Sequence, residues 1–229
     1  MAKKTTGVAA RTRTTTAAVR PGTRRSEGDG GARPVRSNAE RRAMTRRAVL
    51  DAAAECFDQA GYLATRLDDV TTRAKLTKGA VYFHFGSKEA LAEAVIEEQA
   101  SYWPAVLDEL AGRPGTPLDH LIHLTYEVAR SLRDNVSLRA GVRLSLDQDV
   151  PGVDPAQTLS RWTDTVADLL RKARRAGALA DGVAPAVAAR FIVAAFLGAY
   201  HLAGVVDGKP DARKRLDEFW SLALPQVRA

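Results

Sequence analysis

Apolar residues along this chain recur with the spacing of helices and nowhere with the alternation of half-buried strands. The first such run opens at Ser37-Asn38-Ala39-Glu40, a capping box in which a serine hydroxyl accepts from the backbone while Glu40 reaches back. Val49, Ala53 and Phe57, flanked by Leu50 and Ala54, then make one helical stripe that ends at Gly61. Cys56 lies beside that stripe and is assigned to the core. A second, short helix is predicted from Thr65, with Asp68 as its box partner, through Leu67, Val70 and Ala74. A third runs from Thr77 to about His84. A fourth starts at Ser87, carries Glu89 in its first turn where the helix dipole favours an acid, and continues through Leu91, Val95 and Ile96 to Leu110.

After the break at Arg113-Pro114-Gly115-Thr116-Pro117 the pattern stays helical, over about 118–133 and 137–147. Asp154-Pro155 supplies an N-cap followed by proline at the first helical position, for a helix ending near Gly177. Two more helices are predicted, Pro185 to about Val206 and Asp211 to about Leu224. The expected fold class is therefore all-α: an N-terminal three-helix helix-turn-helix domain joined to a C-terminal helical bundle. The run Phe191–Val206 has 16 residues with one histidine. That is short of the roughly 20 needed to span a bilayer, so it is expected to be a buried helix, with no membrane partner.

Composition changes the picture mainly at the front. The chain has 229 residues and a net charge of +7, with 11 Lys/Arg against 3 acids in residues 1–42 and 23 bases against 24 acids in the remainder. A basic arm on a near-neutral body points to a polyanion, nucleic acid before anionic membrane, or else to a solvated tail. Residues 1–36 contain no aromatic, Leu or Ile and are expected to be a disordered arm. No apolar run follows the N-terminus, so no secretory signal is expected, although an Arg-rich, acid-poor start also fits a transit peptide. One cysteine excludes an internal disulfide, and with four histidines it excludes a Cys/His zinc finger.

The chemistry concentrates in Thr65 to Lys88. Two short helices joined by a tight turn, the second opening Thr77-Lys78-Gly79, make a helix-turn-helix pattern. Lys78 and Tyr82 are four apart and share a face that offers an ammonium and a phenol to phosphates and base edges, while Val81 and Phe85 anchor the opposite face. Gly79 lets a DNA backbone approach the helix start. His84 and Lys88 extend the polar rim. Phe83 and Phe85 are expected in the core. Asp119, His120 and His123 suggest at most two metal ligands, and no metal or other cofactor is expected. The signatures of nucleotide-binding loops, zinc proteases and serine hydrolases are absent, so an enzyme or a scaffold is the disfavoured reading.

Residues 43–91 resemble the DNA-binding domain of the TetR family of transcriptional repressors. The resemblance rests on Thr45-Arg46, Ala52-Ala53, Phe57, Gly61-Tyr62, Thr77-Lys78-Gly79, Tyr82-Phe83-His84-Phe85 and Ser87-Lys88-Glu89. The string Lys78 to Phe85 is most similar to the γ-butyrolactone receptor branch, and the likeness continues thinly through Arg139 to Ser145 and at Trp162. It implies that Thr45 and Arg46 touch phosphates, that Lys78, Gly79 and Tyr82 lie on the recognition helix, and that His84 and Lys88 hold the DNA backbone. Thr65, Arg66 and Thr77 complete the expected DNA-facing set. It also implies that Trp162 lies over a bound lactone, in a pocket for which Trp103, Tyr126, Leu144, Phe196 and Tyr200 are further candidates, with Thr163, Tyr126 or Tyr200 as polar donors. Core packing accounts for at least two of those aromatics. A bacterial regulator also removes the transit-peptide reading and implies a cytoplasmic location.

One departure stands out. The family commonly has Ala-Gly-Val in the turn, where this chain has Ala74-Lys75-Leu76, so the turn is either strained or closed differently. The expected domains are an arm over 1–36, a DNA-binding domain over 37–88, and an effector-binding and dimerisation domain over 89–229. Ala188, Ala195, Gly198 and Ala199 would let two copies approach. The expected function is a homodimeric repressor that binds a palindromic operator in double-stranded DNA and is released by a γ-butyrolactone-like signal, controlling secondary metabolism such as antibiotic biosynthesis. The alternative is a TetR-type regulator of another small apolar ligand, or of none. Deleting residues 1–36 should flatten the slope of log operator affinity against log salt and leave the preferred sequence unchanged, because the arm's bases release counterions without reading bases. An unchanged slope in salt-titrated mobility shifts would make the arm an inert tail.

Overall fold

A computed structural model describes residues 37–206 and 211–229, and the basic arm expected over residues 1–36 lies outside them. Every regular element among the described residues is a helix. They are α1 (Asn38–Ala64), α2 (Leu67–Ala74), α3 (Lys78–Phe85), α4 (Lys88–Ala111), α5 (Pro117–Asp134), α6 (Val136–Ser145), α7 (Pro155–Arg175), α8 (Pro185–Val206) and α9 (Arg213–Val227). The one extended pairing among them is an isolated bridge, Leu179 to Arg228, which pins the end of the chain beside the α7–α8 turn.

The caps explain most of the boundaries. Ser37 accepts from the Glu40 amide at 3.1 Å, and the Ser37 amide donates to Glu40 at 2.7 Å. Thr77, Ser87 and Asp154 cap α3, α4 and α7 through the amides of Ala80, Ala90 and Ala156. At Gly61 the backbone leaves the helix with φ 77°, and the chain makes one further turn before α1 ends. α2 begins one residue later than the sequence pattern predicts. The Arg66 amide donates to Asp69, not Asp68, because the Thr65 hydroxyl is already engaged with the Gly61 carbonyl at 2.7 Å.

The head is a core of Val49, Leu50, Ala53 and Phe57 from α1, Val70 from α2, and Val81 and Phe85 from α3. It is not closed by α1–α3 alone. Leu91 and Val95 of α4 and Ala140 and Leu144 of α6 belong to the same cluster. The body packs Leu118 and Leu121 of α5, Leu170 of α7, Ile192 of α8, and Leu216 and Trp220 of α9 into a second cluster. The indole of Trp220 is buried with its N–H satisfied by the Thr125 hydroxyl at 2.9 Å.

α8 has 22 residues with mean hydropathy 1.6, so by length and composition it is long enough to cross a membrane, contrary to the expectation from its shorter apolar run. Its exposed apolar residues are nevertheless one-sided. Ala189, Ile192, Ala199 and Ala203 face the body core, and Val187, Phe191, Leu202 and Val205 face outward. Ala199 therefore serves the chain's own core, while Gly198 lies open, with nothing near the site of a Cβ.

The α2–α3 turn closes with Lys75 in the left-handed region, φ 56° and ψ 41°. The Leu76 amide donates to Thr71 and the Lys75 amide to Thr72, the pair of bonds that ordinarily places glycine here. The turn thus takes the left-handed form that glycine favours and carries the strain of a Cβ. Lys75→Gly should raise the melting temperature by about 1–3 °C, the equivalent of roughly 0.5–1 kcal/mol in a chain of this size, measured by calorimetry. An unchanged or lower midpoint would mean that the lysine side chain offsets the strain.

Candidate nucleic-acid interface and apolar cavity

α3 is two turns long, with Val81 and Phe85 buried and Tyr82 and Phe83 between them turned outward. Lys78, Gly79 and Tyr82 are exposed together, as their spacing requires. Lys78 Nζ lies 2.9 Å from Asp68 at the start of α2, and that carboxylate raises its pKa. The pair is fully solvated, so a phosphate can take the place of Asp68. Space at Gly79 is open, and Thr77 is exposed beside it.

Phe83, expected in the core, is 67% exposed. It lies on the outer face of a helix whose inner face is filled by Val81 and Phe85. The Arg42 guanidinium sits 5.0 Å from its ring centre, and Arg46 sits 4.7 Å from that of Phe85. Arg42 was not selected from sequence, although it shares a face with Arg46 four residues on. Arg42, Thr45 and Arg46 thus bring the start of α1 beside α3, which no local pattern reveals. Thr45 donates its hydroxyl to Arg41, and its oxygen stays free to accept.

Two other candidates depart from expectation. Thr65 is 2% exposed and its hydroxyl serves the end of α1, so it offers nothing to DNA. Arg66 beside it is exposed. Lys88 is drawn inward, its ammonium 4.2 Å from the Tyr62 ring centre and 3.3 Å from the Leu63 carbonyl, and burial lowers its pKa. It ties α4 to α1. Next to it the Tyr62 hydroxyl donates to Glu89 at 2.9 Å. Burial and that carboxylate push the phenol up to about 12, while the backbone amide, Ser87 and Tyr62 hold Glu89 below the usual carboxylate range. His84 stays half-buried against Phe83.

A cavity of about 160 Å³ lies within the body, walled by α4, α5, α6, α7 and α8. Trp103, Trp162, Phe196 and Tyr200 all line it, so four of the six candidates chosen from sequence meet at one place. Two do not. Leu144 is fully buried in the head core against α1, on the opposite side of α6 from Val142, which does line the cavity. Tyr126 hydrogen-bonds Asp217 of α9 at 2.7 Å and faces a separate arginine-lined cleft. Burial and Asp217 push its phenol up to about 12. Thr163 donates to Leu159 within its own helix and does not line the cavity. The lining also includes Gln99, which sequence reasoning passed over. His120 and His123 lie on α5, where their ring nitrogens meet the carbonyls of Arg113 and Asp119 at 3.0 and 2.7 Å.

The two regions are joined by α6. Arg139 forks onto Asp58 of α1 at 3.0–3.3 Å and also donates to the carbonyls of Leu132 and Arg133 at the end of α5. Arg143 donates to the Asp58 carbonyl and presses on Gly61, where an added Cβ would come within 2.8 Å of it. Where α6 crosses α4, a Cβ on Gly141 would collide with Gln99 at 2.3 Å, so only glycine permits this spacing.

The model of bacterial regulatory proteins of the tetR family matches residues 49–95. The A-factor receptor protein of Streptomyces griseus is 36% identical over 187 residues, 82% of this chain, and the chain spans 65% of that receptor's length. A crystal structure of a γ-butyrolactone receptor, an ArpA-like protein, superposes with a TM-score of 0.72 at 31% identity, covering 82% of this chain and 90% of its own. The TetR family protein CprB of Streptomyces coelicolor, solved with its operator sequence, gives a TM-score of 0.67 at 29% identity over 82% of this chain and 90% of its own. These relatives are regulators and not enzymes. Capped head, clamped α6, apolar cavity and this likeness in sequence and fold agree: the chain belongs to the TetR family of bacterial regulatory proteins and is related to the γ-butyrolactone receptors.

Proposed function

We propose that this chain is a homodimeric cytoplasmic repressor, released from a palindromic operator by a γ-butyrolactone-type signal and controlling secondary metabolism. The observation that carries the reading is the pairing of a solvated recognition face on α3 with a separate apolar cavity whose walls, α4 and α6, also close the head core. One two-turn helix reads few bases, so two copies about 34–36 Å apart are needed to read successive major grooves. The outward stripe of α8, with Phe191 70% exposed, and Leu222 of α9 supply an apolar face for the second copy.

The cavity suits an apolar guest with a flat ring. Trp103 and Trp162 give broad surfaces at low side-chain entropy loss. At about 160 Å³ the cavity is near the size that accepts benzene in engineered proteins, so a lactone with an acyl chain fills it and presses on its walls. Parting α4 from α6 moves the elements that hold the head. Release then requires the ligand to prefer the moved state, by roughly 5.5 kcal/mol to take the population from 1:99 to 99:1.

The test is a mobility shift on DNA upstream of the protein's own gene, with and without A-factor or another γ-butyrolactone, in three proteins. Wild type should bind as two chains per site and let go on addition. Tyr82→Ala should keep its circular dichroism and lose at least tenfold in operator affinity. Wild-type affinity there would mean that α3 is not the recognition helix. Trp162→Ala should bind the operator normally and ignore the ligand. If it instead melts much earlier and loses DNA affinity, Trp162 is plain core, the loss being about 3–5 kcal/mol; if it binds and still releases, the pocket assignment fails.

A further inference from the structure

Lys75 joins α2 to α3, and among the described residues it is the one residue other than glycine with a positive φ. Glycine takes this conformation freely and asparagine at small cost, so the backbone disfavours a lysine here. The fold gives no reason for the choice. The bonds that close the turn, to Thr71 and Thr72, come from backbone amides that any residue but proline supplies. The lysine side chain is exposed, and among the described residues no ion pair or hydrogen bond holds its ammonium. The bases on either side are engaged. Arg73 reaches back to Glu55 and Gln59 of α1 at 2.7 and 2.9 Å, and Lys78 pairs with Asp68 at 2.9 Å.

Strained backbone of this kind concentrates at functional positions, where the side chain it carries has a task. The place of the turn says what that task is. In a helix-turn-helix the first helix crosses the DNA backbone and the second enters the major groove by its N-terminus. The residue between them lies where the chain passes from phosphates to bases. Lys75 stands two residues before Thr77, whose hydroxyl caps α3, and three before Lys78. An ammonium on a flexible four-carbon stem meets a phosphate as a point charge and needs no fixed geometry, which suits a turn.

We propose that Lys75 binds a DNA phosphate at the entrance to the recognition helix, a contact that glycine at this position cannot make. The contact adds affinity and salt dependence without reading bases. The inference rests on the reading of α3 as the recognition helix.

The test is operator affinity between about 50 and 200 mM salt, on DNA upstream of the protein's own gene and on a random duplex of equal length. Lys75→Gly and Lys75→Asn remove the charge and fit the left-handed turn, whereas Lys75→Arg keeps both charge and strain. Lys172→Gln removes an exposed lysine of α7 as a control for net charge. Both neutral variants should lower the slope of log affinity against log salt by about 2, which is 0.9 for each of two chains. Their deficit at the lowest salt should then shrink about tenfold at the highest, alike on both duplexes. Lys75→Arg and Lys172→Gln should keep the wild-type slope, and Lys75→Gly should melt no lower than wild type. An unchanged slope in the neutral variants overturns the proposal, as does an equal fall in Lys75→Arg or Lys172→Gln. A lower melting point for Lys75→Gly also overturns it, because the lysine then serves the fold. If wild type does not hold the operator, the reading of α3 falls together with this inference. If Tyr82→Ala loses the operator while the Lys75 variants keep the slope, the inference falls alone.

Discussion

The fork of Arg139 onto Asp58 is the interaction on which the rest of this molecule depends. It is a partly buried, bidentate ion pair that holds α6 against α1, and the same guanidinium satisfies two carbonyls at the end of α5. Losing either partner would leave a charge in a half-desolvated seam, a penalty of roughly 3 kcal/mol. Arg143 adds a second donor to the Asp58 backbone, and Gly61 leaves the helix where that arginine needs room. Three helices from two halves of the chain are thereby fixed at one point.

The consequence is that the head has no private core. Leu91 and Val95 of α4 and Leu144 of α6 are as much part of it as Phe57 or Val81. A displacement of α4 or α6 therefore cannot be absorbed inside the body, because close-packed interiors shift between discrete arrangements and do not deform smoothly. Lys88, Tyr62 and Glu89 form a second tie at the start of α4, just after α3. Pro104 interrupts the hydrogen-bond ladder of α4 next to Trp103, so this helix is weakest beside the cavity.

Two surfaces face outward for different reasons. On α3, Lys78 and Tyr82 are solvated because Val81 and Phe85 already fill the space beneath. On α8, Phe191 and Val205 are exposed because Ile192, Ala199 and Ala203 take the inward positions. The first surface is polar and flanked by arginines from α1. The second is apolar and carries an open glycine, as close approach of a second helix would need.

Much was legible in the amino-acid order because its causes are local. Helix starts follow from Ser37, Thr77, Ser87 and Asp154 bonding amides two or three residues on, and helix faces follow from residues four apart. Lys75 in place of glycine marked the turn as either strained or closed differently. What the order left undecided depends on groups far apart along it. Thr65 could not be known as buried until the end of α1 claimed its hydroxyl, nor Phe83 as exposed until α1, α4 and α6 had filled the core. Leu144 and Val142 lie two residues apart on α6 and end on different sides, one in the head and one at the cavity, because the tertiary structure sandwiches that helix. Gln99 looked like any polar residue of an amphipathic helix. Only the packing of α4 against α6, where Gly141 leaves room for its side chain, placed it in the cavity wall.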